Sequence, residues 1–182
     1  MEASPGSPGF KRNFILQQGL DEPPSASCPL QYSALHFQPR LVGLVVLGGV
    51  LLQEPAIFLA LSAVLLWSAL LPQWNPFDAL YNRTFAGQPG RFALPPAPAP
   101  RRFAQGMAGT FALAIGIAFL QGWKTTAIVL EVLLVVAVAA LVFGGFCLGS
   151  FVFHLIRGRL AFARRTLPWA RDSEVSGAPA AR

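Results

Sequence analysis

The nineteen residues from Thr125 to Phe143 (TTAIVLEVLLVVAVAALVF) contain one ionisable side chain, Glu131, and no proline. As a helix rising 1.5 Å per residue the run is about 28 Å long, close to the thickness of a bilayer's hydrocarbon layer. A soluble fold would have to bury it on every side. With 54% hydrophobic and only 12% charged residues in a chain of 182, and a mean hydropathy of +0.52, there is too little charged surface to cover such a core. Lipid must solvate part of the chain, and the expected fold is an all-α polytopic membrane bundle.

Three further apolar segments complete a four-span pattern. Leu35 to Leu52 and Pro55 to Leu71 form one stretch broken by Gln53-Glu54-Pro55. A single helix from Leu41 to Leu71 would be about 46 Å long, far beyond the hydrocarbon. Proline at a first helical position and a carboxylate beside a helix N-terminus are both favourable, so the stretch is expected to fold as a tight hairpin. Phe103 to Leu120 is the third span, with Ala108, Ala112 and Gly116 spaced four apart, a small-residue stripe that lets helix backbones approach. The fourth span is placed at 125–146, after the turn Gln121-Gly-Trp-Lys124. Residues 35–165 thus form the transmembrane domain.

The remainder is polar. Residues 1–34 open with SPGSPG and contain only a short apolar patch, Phe14-Ile-Leu, too short for a signal-peptide core and without a cleavage site. They are expected to be a disordered, uncleaved cytoplasmic tail, as are residues 166–182. Between the second and third spans, Asn75-Pro-Phe-Asp78 is a helix start, with Asn75 as N-cap and Pro76 at N1. Phe77, Leu80, Tyr81 and Phe85 follow at helical spacing and suggest a short interfacial helix, with a soluble turn capping the bundle as the alternative. Leu94 to Pro100 reads as a polyproline spacer. The sequon Asn82-Arg-Thr84 is expected on the cytoplasmic side, where it has no meaning.

The net charge of +6 resides in arginines between and beyond the spans. Arg40, Arg83, Arg91, Arg101, Arg102, Arg157, Arg159, Arg164 and Arg165 all fall on the N-terminal, middle-loop or C-terminal side, whereas the two other connections carry only Glu54 and Lys124. Positive-inside counting gives a multi-pass protein of the inner, plasma membrane with both termini cytoplasmic. The basicity is therefore assigned to topology and to anionic lipid headgroups, with Arg157, Arg159, Arg164 and Arg165 as headgroup contacts, and not to nucleic acid.

Three residues could carry chemistry. Glu131 is a carboxylate inside a span, where an unpaired charge costs a few kcal/mol. It is either a proton- or ion-handling group or a structural carboxyl bonded to Thr110, Ser62 or Gln105. Cys147 lies in Phe146-Cys-Leu-Gly-Ser150 and lacks the second thiol of a Cys-x-x-Cys pair. A buried, inert cysteine is the competing assignment. His154, seven residues on, falls on nearly the same helix face. With Cys147 it makes at most half a metal site, His36 being the one other histidine, so no metal and no cofactor is assigned. Gly145 and Gly149 mark close helix packing or a kink.

Taken in order, Arg40-Leu-Val, Pro76-Phe-Asp78, Arg102-Phe-Ala-Gln105, Leu130-Glu131 and Phe146-Cys-Leu-Gly149 resemble an uncharacterised bacterial integral-membrane family known as a domain of unknown function. The resemblance covers about residues 35 to 160 and implies four transmembrane helices with no established activity. Many members of that family carry Cys-x-Gly-Cys in the last helix, where this chain has Cys147-Leu-Gly-Ser150. No nucleophile with an adjacent base, phosphate-binding glycine loop or haem motif points to an enzyme. The expected function is a structural or accessory component of a membrane assembly, as a homo-oligomer or with other proteins. The alternatives are a membrane thiol-redox partner using Cys147 and a small transporter or proton-linked subunit using Glu131.

Overall fold

The computed structural model describes residues 8–86, 88, 91–167 and 170. Every regular element among them is helical: α1 Pro8–Gln17, α2 Cys28–Leu35, α3 Phe37–Leu52, α4 Pro55–Leu70, α5 Pro76–Tyr81, α6 Ala99–Leu120, α7 Lys124–Val142, α8 Leu148–Ile156 and α9 Leu160–Arg165. Three helices are long and apolar enough to cross a membrane, namely the continuous run Cys28–Leu52, then Ala99–Leu120 and Lys124–Val142. The 16-residue α4 is a shorter apolar helix.

Local chemistry sets the breaks between these helices. α3 stops at Gln53, which sits at φ 51° in the left-handed region. Glu54 then caps α4 by accepting the Ala56 amide at 3.4 Å, with Pro55 at the first helical position. Asn75 caps α5 in the same manner, accepting the Phe77 amide at 3.0 Å. A π-helical turn over Asn82–Ala86 follows. Asn82 exchanges two hydrogen bonds with the backbone of Leu94, at 2.9 and 3.0 Å, so the sequon asparagine fastens the loop before α6.

The core of the bundle is formed by α3, α4, α6 and α7 around Val46, Phe58, Leu65, Ile115 and Leu134. Its tightest seam joins α4 and α6. Gly109 lies under Leu66, and a side chain at Gly116 would meet Leu59 and approach the Pro55 carbonyl oxygen to 3.4 Å. The small stripe facing α4 is therefore Gly109, Ala112 and Gly116, while Ala108 turns towards α3 and α7. The outer face of α7 (Ile128, Val129, Val132 and Val136) is left exposed and apolar, as a lipid-facing surface requires.

Two expectations are corrected. Residues 8–34, expected as part of a disordered tail, hold α1 and all but the last residue of α2, and Phe10, Phe14, Ile15 and Cys28 are buried, while residues 1–7 of that tail lie outside the described residues. Phe14, too short a patch to act as a signal, packs edge-on against Tyr32 at 5.3 Å and against His36 at 4.4 Å. The result is a second core shared by α1, α2, Tyr81 and Leu94 at one end of the bundle. The fourth span, placed at 125–146, ends as a helix at Val142. Gly145, at φ 57°, turns the chain, and α8 folds back against the start of α6. Residues 168, 169 and 171–182, assigned to a disordered tail, lie outside the described residues.

α8 can dock only because Gly149 has no side chain. A Cβ there would lie 2.6 Å from the Cα of Ala104 and 2.7 Å from its Cβ, and backbone cannot yield as a side-chain tip can. Gly149→Ala is expected to destabilise the protein by about 1–3 kcal/mol. Gly48→Ala, where nothing lies within 4 Å, should be neutral or stabilising. Thermal unfolding of the two variants in detergent checks the difference.

Candidate functional site

The densest polar cluster joins the N-terminal ends of α3 and α6 to α5. Arg101 donates to the Asp78 Oδ1 at 2.6 Å and to the Gln38 Oε1 at 2.8 Å. Gln105, one turn further along α6, donates its amide to the same Gln38 oxygen at 2.9 Å, and Asn75 donates to the other Asp78 oxygen at 2.9 Å. The Arg101 and Asp78 side chains are 6% and 8% exposed. Burial pushes the Asp78 carboxyl above its ordinary range, while Arg101 and Asn75 pull it back down.

The amide orientations in this cluster follow from chemistry. Arginine has donors only, so Gln38 must offer its oxygen to Arg101. Gln105 must then offer its nitrogen to that oxygen, which leaves the Gln105 Oε1 buried with no donor among the described residues. Beside the cluster lies a cavity of about 400 Å3 between α3, α6, α7 and the turn before α8. Gln38, Arg101, Gln105 and Cys147 are among its polar lining, and the remaining walls are mostly aliphatic.

Cys147 and His154 are brought together through a residue the sequence did not single out. Cys147 is the N-cap of α8 and is buried. Its backbone amide donates to the Gln17 Oε1 at 2.9 Å, and His154 Nε2–H donates to the Gln17 carbonyl oxygen at 3.3 Å. Both residues thus face α1, and Gln17 clamps that helix onto α8. Burial, with Arg159 nearby, holds the His154 imidazole below its usual pKa and therefore neutral. His36 is elsewhere, donating from Nδ1 to the Tyr32 carbonyl oxygen at 3.1 Å. No group of three metal-ligating side chains forms among the described residues. Cys28 and Cys147 are both free thiols.

Glu131 is buried towards the opposite end of the bundle. Its carboxylate accepts from the Gln53 Nε2 at 3.2 and 3.4 Å, which replaces Thr110, Ser62 and Gln105 as partner. Gln53 reaches it because the left-handed turn after α3 aims its side chain across to α7. Arg157 lies over the Phe153 ring at 5.3 Å, and Arg157, Arg159 and Arg164 are exposed, with Arg165 half-buried in α9.

Sequence reasoning assigned Asn75 and Asp78 to a helix cap and Arg101 to a count of topogenic charge, and so missed that they form one site with Gln38. The signal was present: Asp78 is the sole acid among the four arginines of its loop. The model of a family described as a domain of unknown function (DUF4395) matches residues 32–157. No curated protein and no solved structure matches the chain.

Removing one member of a buried ion pair strands the other's charge, which costs about 3–5 kcal/mol. Arg101→Met is expected to lower the unfolding midpoint accordingly, and adding Asp78→Asn should recover part of the loss. The clamp is also pH-dependent. A histidine whose folded pKa is depressed contributes stability that is present above its ordinary value of about 6.5 and lost as pH falls below it. Between pH 7.5 and 5.5 the protein should lose stability, and His154→Gln should remove part of that slope in a chemical-denaturation series, the other buried histidine, His36, being left in place.

Proposed function

Because the chain belongs to the family of unknown function DUF4395, its role has to be argued from its own residues, and we propose a non-catalytic accessory component of a larger assembly in the bacterial inner membrane. The supporting observation is that the side chains best suited to chemistry are occupied in fastening helices together. Arg101 and Asp78 join α6 to α5, Glu131 and Gln53 join α7 to the hairpin after α3, and His154 joins α8 to α1. A partner would engage the exposed apolar face of α7 or that of α3, where Leu44, Leu47 and Leu51 are uncovered.

The chain crosses the bilayer four times in this proposal, α4 included, with both termini and the middle loop on the cytoplasmic side. Charge supports that placement. Arg40, Arg83, Arg91, Arg101 and Arg102 belong to the end that carries α1, α5 and α8, and Glu54 and Lys124 to the other. Arg157, Arg159, Arg164 and Arg165 would then meet anionic headgroups. A second role, as a thiol-redox partner, is favoured by one observation: Cys147 lines the cavity.

Two measurements test this proposal. A phosphatase reporter fused at Gln88 should stay inactive while one fused after Gly122 is active, and the reverse pattern would overturn the orientation. On native gels of digitonin-solubilised membranes the chain should migrate in a complex well above its 19.5 kDa, and Cys147→Ala should leave that complex intact. Migration as a lone chain removes the assembly role. A mixed disulfide trapped on Cys147 in intact cells would instead establish the redox role.

A further inference from the structure

The cavity between α3, α6 and α7 is apolar over most of its wall and polar at one end. At about 400 Å3 it lies within the range of small-molecule sites, roughly 300–1,000 Å3. Leu133, Val136 and Leu148 line it and are also exposed on the outside of the bundle, so it opens sideways on the surface that lipid would cover. Its polar side chains are Gln18, Gln38, Arg101, Gln105 and Cys147. Arg101 is the one charged side chain among the described residues of the lining, and its ion-pair partner Asp78 stands outside that lining. The cavity therefore meets the guanidinium and not the carboxylate.

Hydrogen bonding at the polar end leaves donors unused. Gln105 has nothing to offer, because Gln38 engages its amide nitrogen and its oxygen is sealed off. The Cys147 amide is taken by Gln17, and a thiol is a weak donor. Arg101 carries five N–H donors, yet both of its bonds, to Asp78 and Gln38, leave from Nη2. Its Nε and Nη1 have no acceptor among the described residues, nor has the Gln38 Nε2, and the Gln18 side chain bonds to none of them. None of these atoms is cut off as the Gln105 Oε1 is, although Gln18, Gln38 and Arg101 are each only 5% exposed. The access they keep is from the cavity they line. Against these donors the Gln18 Oε1 is the one open, uncommitted side-chain acceptor among the described lining residues. Leu148 and Gly149, the first residues of α8, add backbone amides in the cavity wall that no side chain caps, at the helix end that favours negative charge.

We propose that this cavity binds a fatty carboxylate, its anionic head accepting from Arg101, Gln38 and Gln18 and its hydrocarbon chain lying along Val42, Phe111, Leu134 and Val138 towards the lateral opening. A carboxylate has acceptors only, which is what a donor-rich end with a single cation lacks. Hydrogen bonds to a charged oxygen are worth about 1.5–3 kcal/mol, against about 0.5–1.5 kcal/mol for a neutral one. A quaternary ammonium head would face the guanidinium with no acid opposite, and a neutral ester would leave the charge of Arg101 unanswered. An anionic phospholipid presents the same oxygen chemistry on a two-chain body, and the experiment separates the two. The site does not depend on whether the chain serves in an assembly.

The test uses the full chain in phosphatidylcholine nanodiscs, with a hexadecanoic acid analogue carrying a diazirine near its methyl end as photoprobe. Labelling should map to peptides of α3, α6 and α7. At matched content in the bilayer, unlabelled hexadecanoate should compete about ten-fold better than its methyl ester or 1-hexadecanol, the gain from replacing a neutral hydrogen bond by a charge-assisted one. Hexadecyltrimethylammonium should not compete. Gln18→Leu removes a side chain that bonds to nothing among the described residues, so it should keep the unfolding midpoint while cutting the advantage of hexadecanoate over the ester about three-fold. Ala108→Trp, which fills the cavity, should abolish labelling. Phosphatidylglycerol added to the nanodiscs should leave labelling unchanged, and displacement of the probe by it would give the site to a two-chain lipid and overturn the proposal. Equal competition by acid and ester, an unaltered ratio in Gln18→Leu, or labelling that maps outside α3, α6 and α7 would each overturn it too.

Discussion

A guanidinium and a carboxylate held 2.6 Å apart, each more than nine-tenths out of contact with solvent, can persist only where every remaining donor and acceptor around them is nearly satisfied. Arg101 and Asp78 meet that condition through Gln38 and Asn75, and the requirement dictates much of the architecture. It fixes the start of α6 against the start of α3 and draws α5 under both. With those three elements set, α4 and α6 can close along Gly109, Ala112 and Gly116, and α7 is left to cover the remaining side of the bundle. The cavity beside Gln105 is what remains between α3, α6 and α7 once their N-terminal ends and turns are set by polar bonds rather than by side-chain packing.

The two ends of the bundle are built on different principles. One end is a compact cap made from α1, α2, α5 and α8, with its own aromatic core of Phe14, Tyr32, His36 and Tyr81. The other consists of short connections, Gln53-Glu54 and Gln121-Gly-Trp-Lys124, and a cross-link from Gln53 to Glu131. A carboxylate buried in an apolar helix needs a partner close by, and the left-handed residue ending α3 delivers one from the hairpin turn. Glu131 is thereby tied to the geometry of a loop and not to another span.

The all-helical bundle was legible in the sequence because periodicity, length and hydropathy report directly on helices that lipid surrounds. Caps were legible for the same local reason: Asn75-Pro76 and Glu54-Pro55 carry their chemistry within three residues. What escaped was everything set by distant partners. Phe10, Phe14 and Ile15 gave no periodic signal long enough to separate a docking helix from a polar tail, since α1 is ten residues long and finds its partners in α2 and in the turn before α8. The break at Gly145 was readable as a kink, but the return of α8 onto α6 depends on Ala104 lying opposite Gly149. The polar site joins residues 23 and 63 positions apart, a separation at which sequence spacing carries no geometric information.

The clamp between Gln17 and Cys147 spans 130 residues, and this has a consequence for biogenesis. Translation adds about 5–20 residues per second, so on the order of ten seconds pass between the emergence of α1 and that of its seat on α8. Throughout that interval the Gln17 side of the first helix lacks its seat, while the spans downstream of it are already entering the bilayer. The amino-terminal helix can rest on the rings of Tyr32 and His36 soon after it is made, but a nascent chain arrested before Cys147 would hold it by those aromatic contacts alone, without the clamp onto α8.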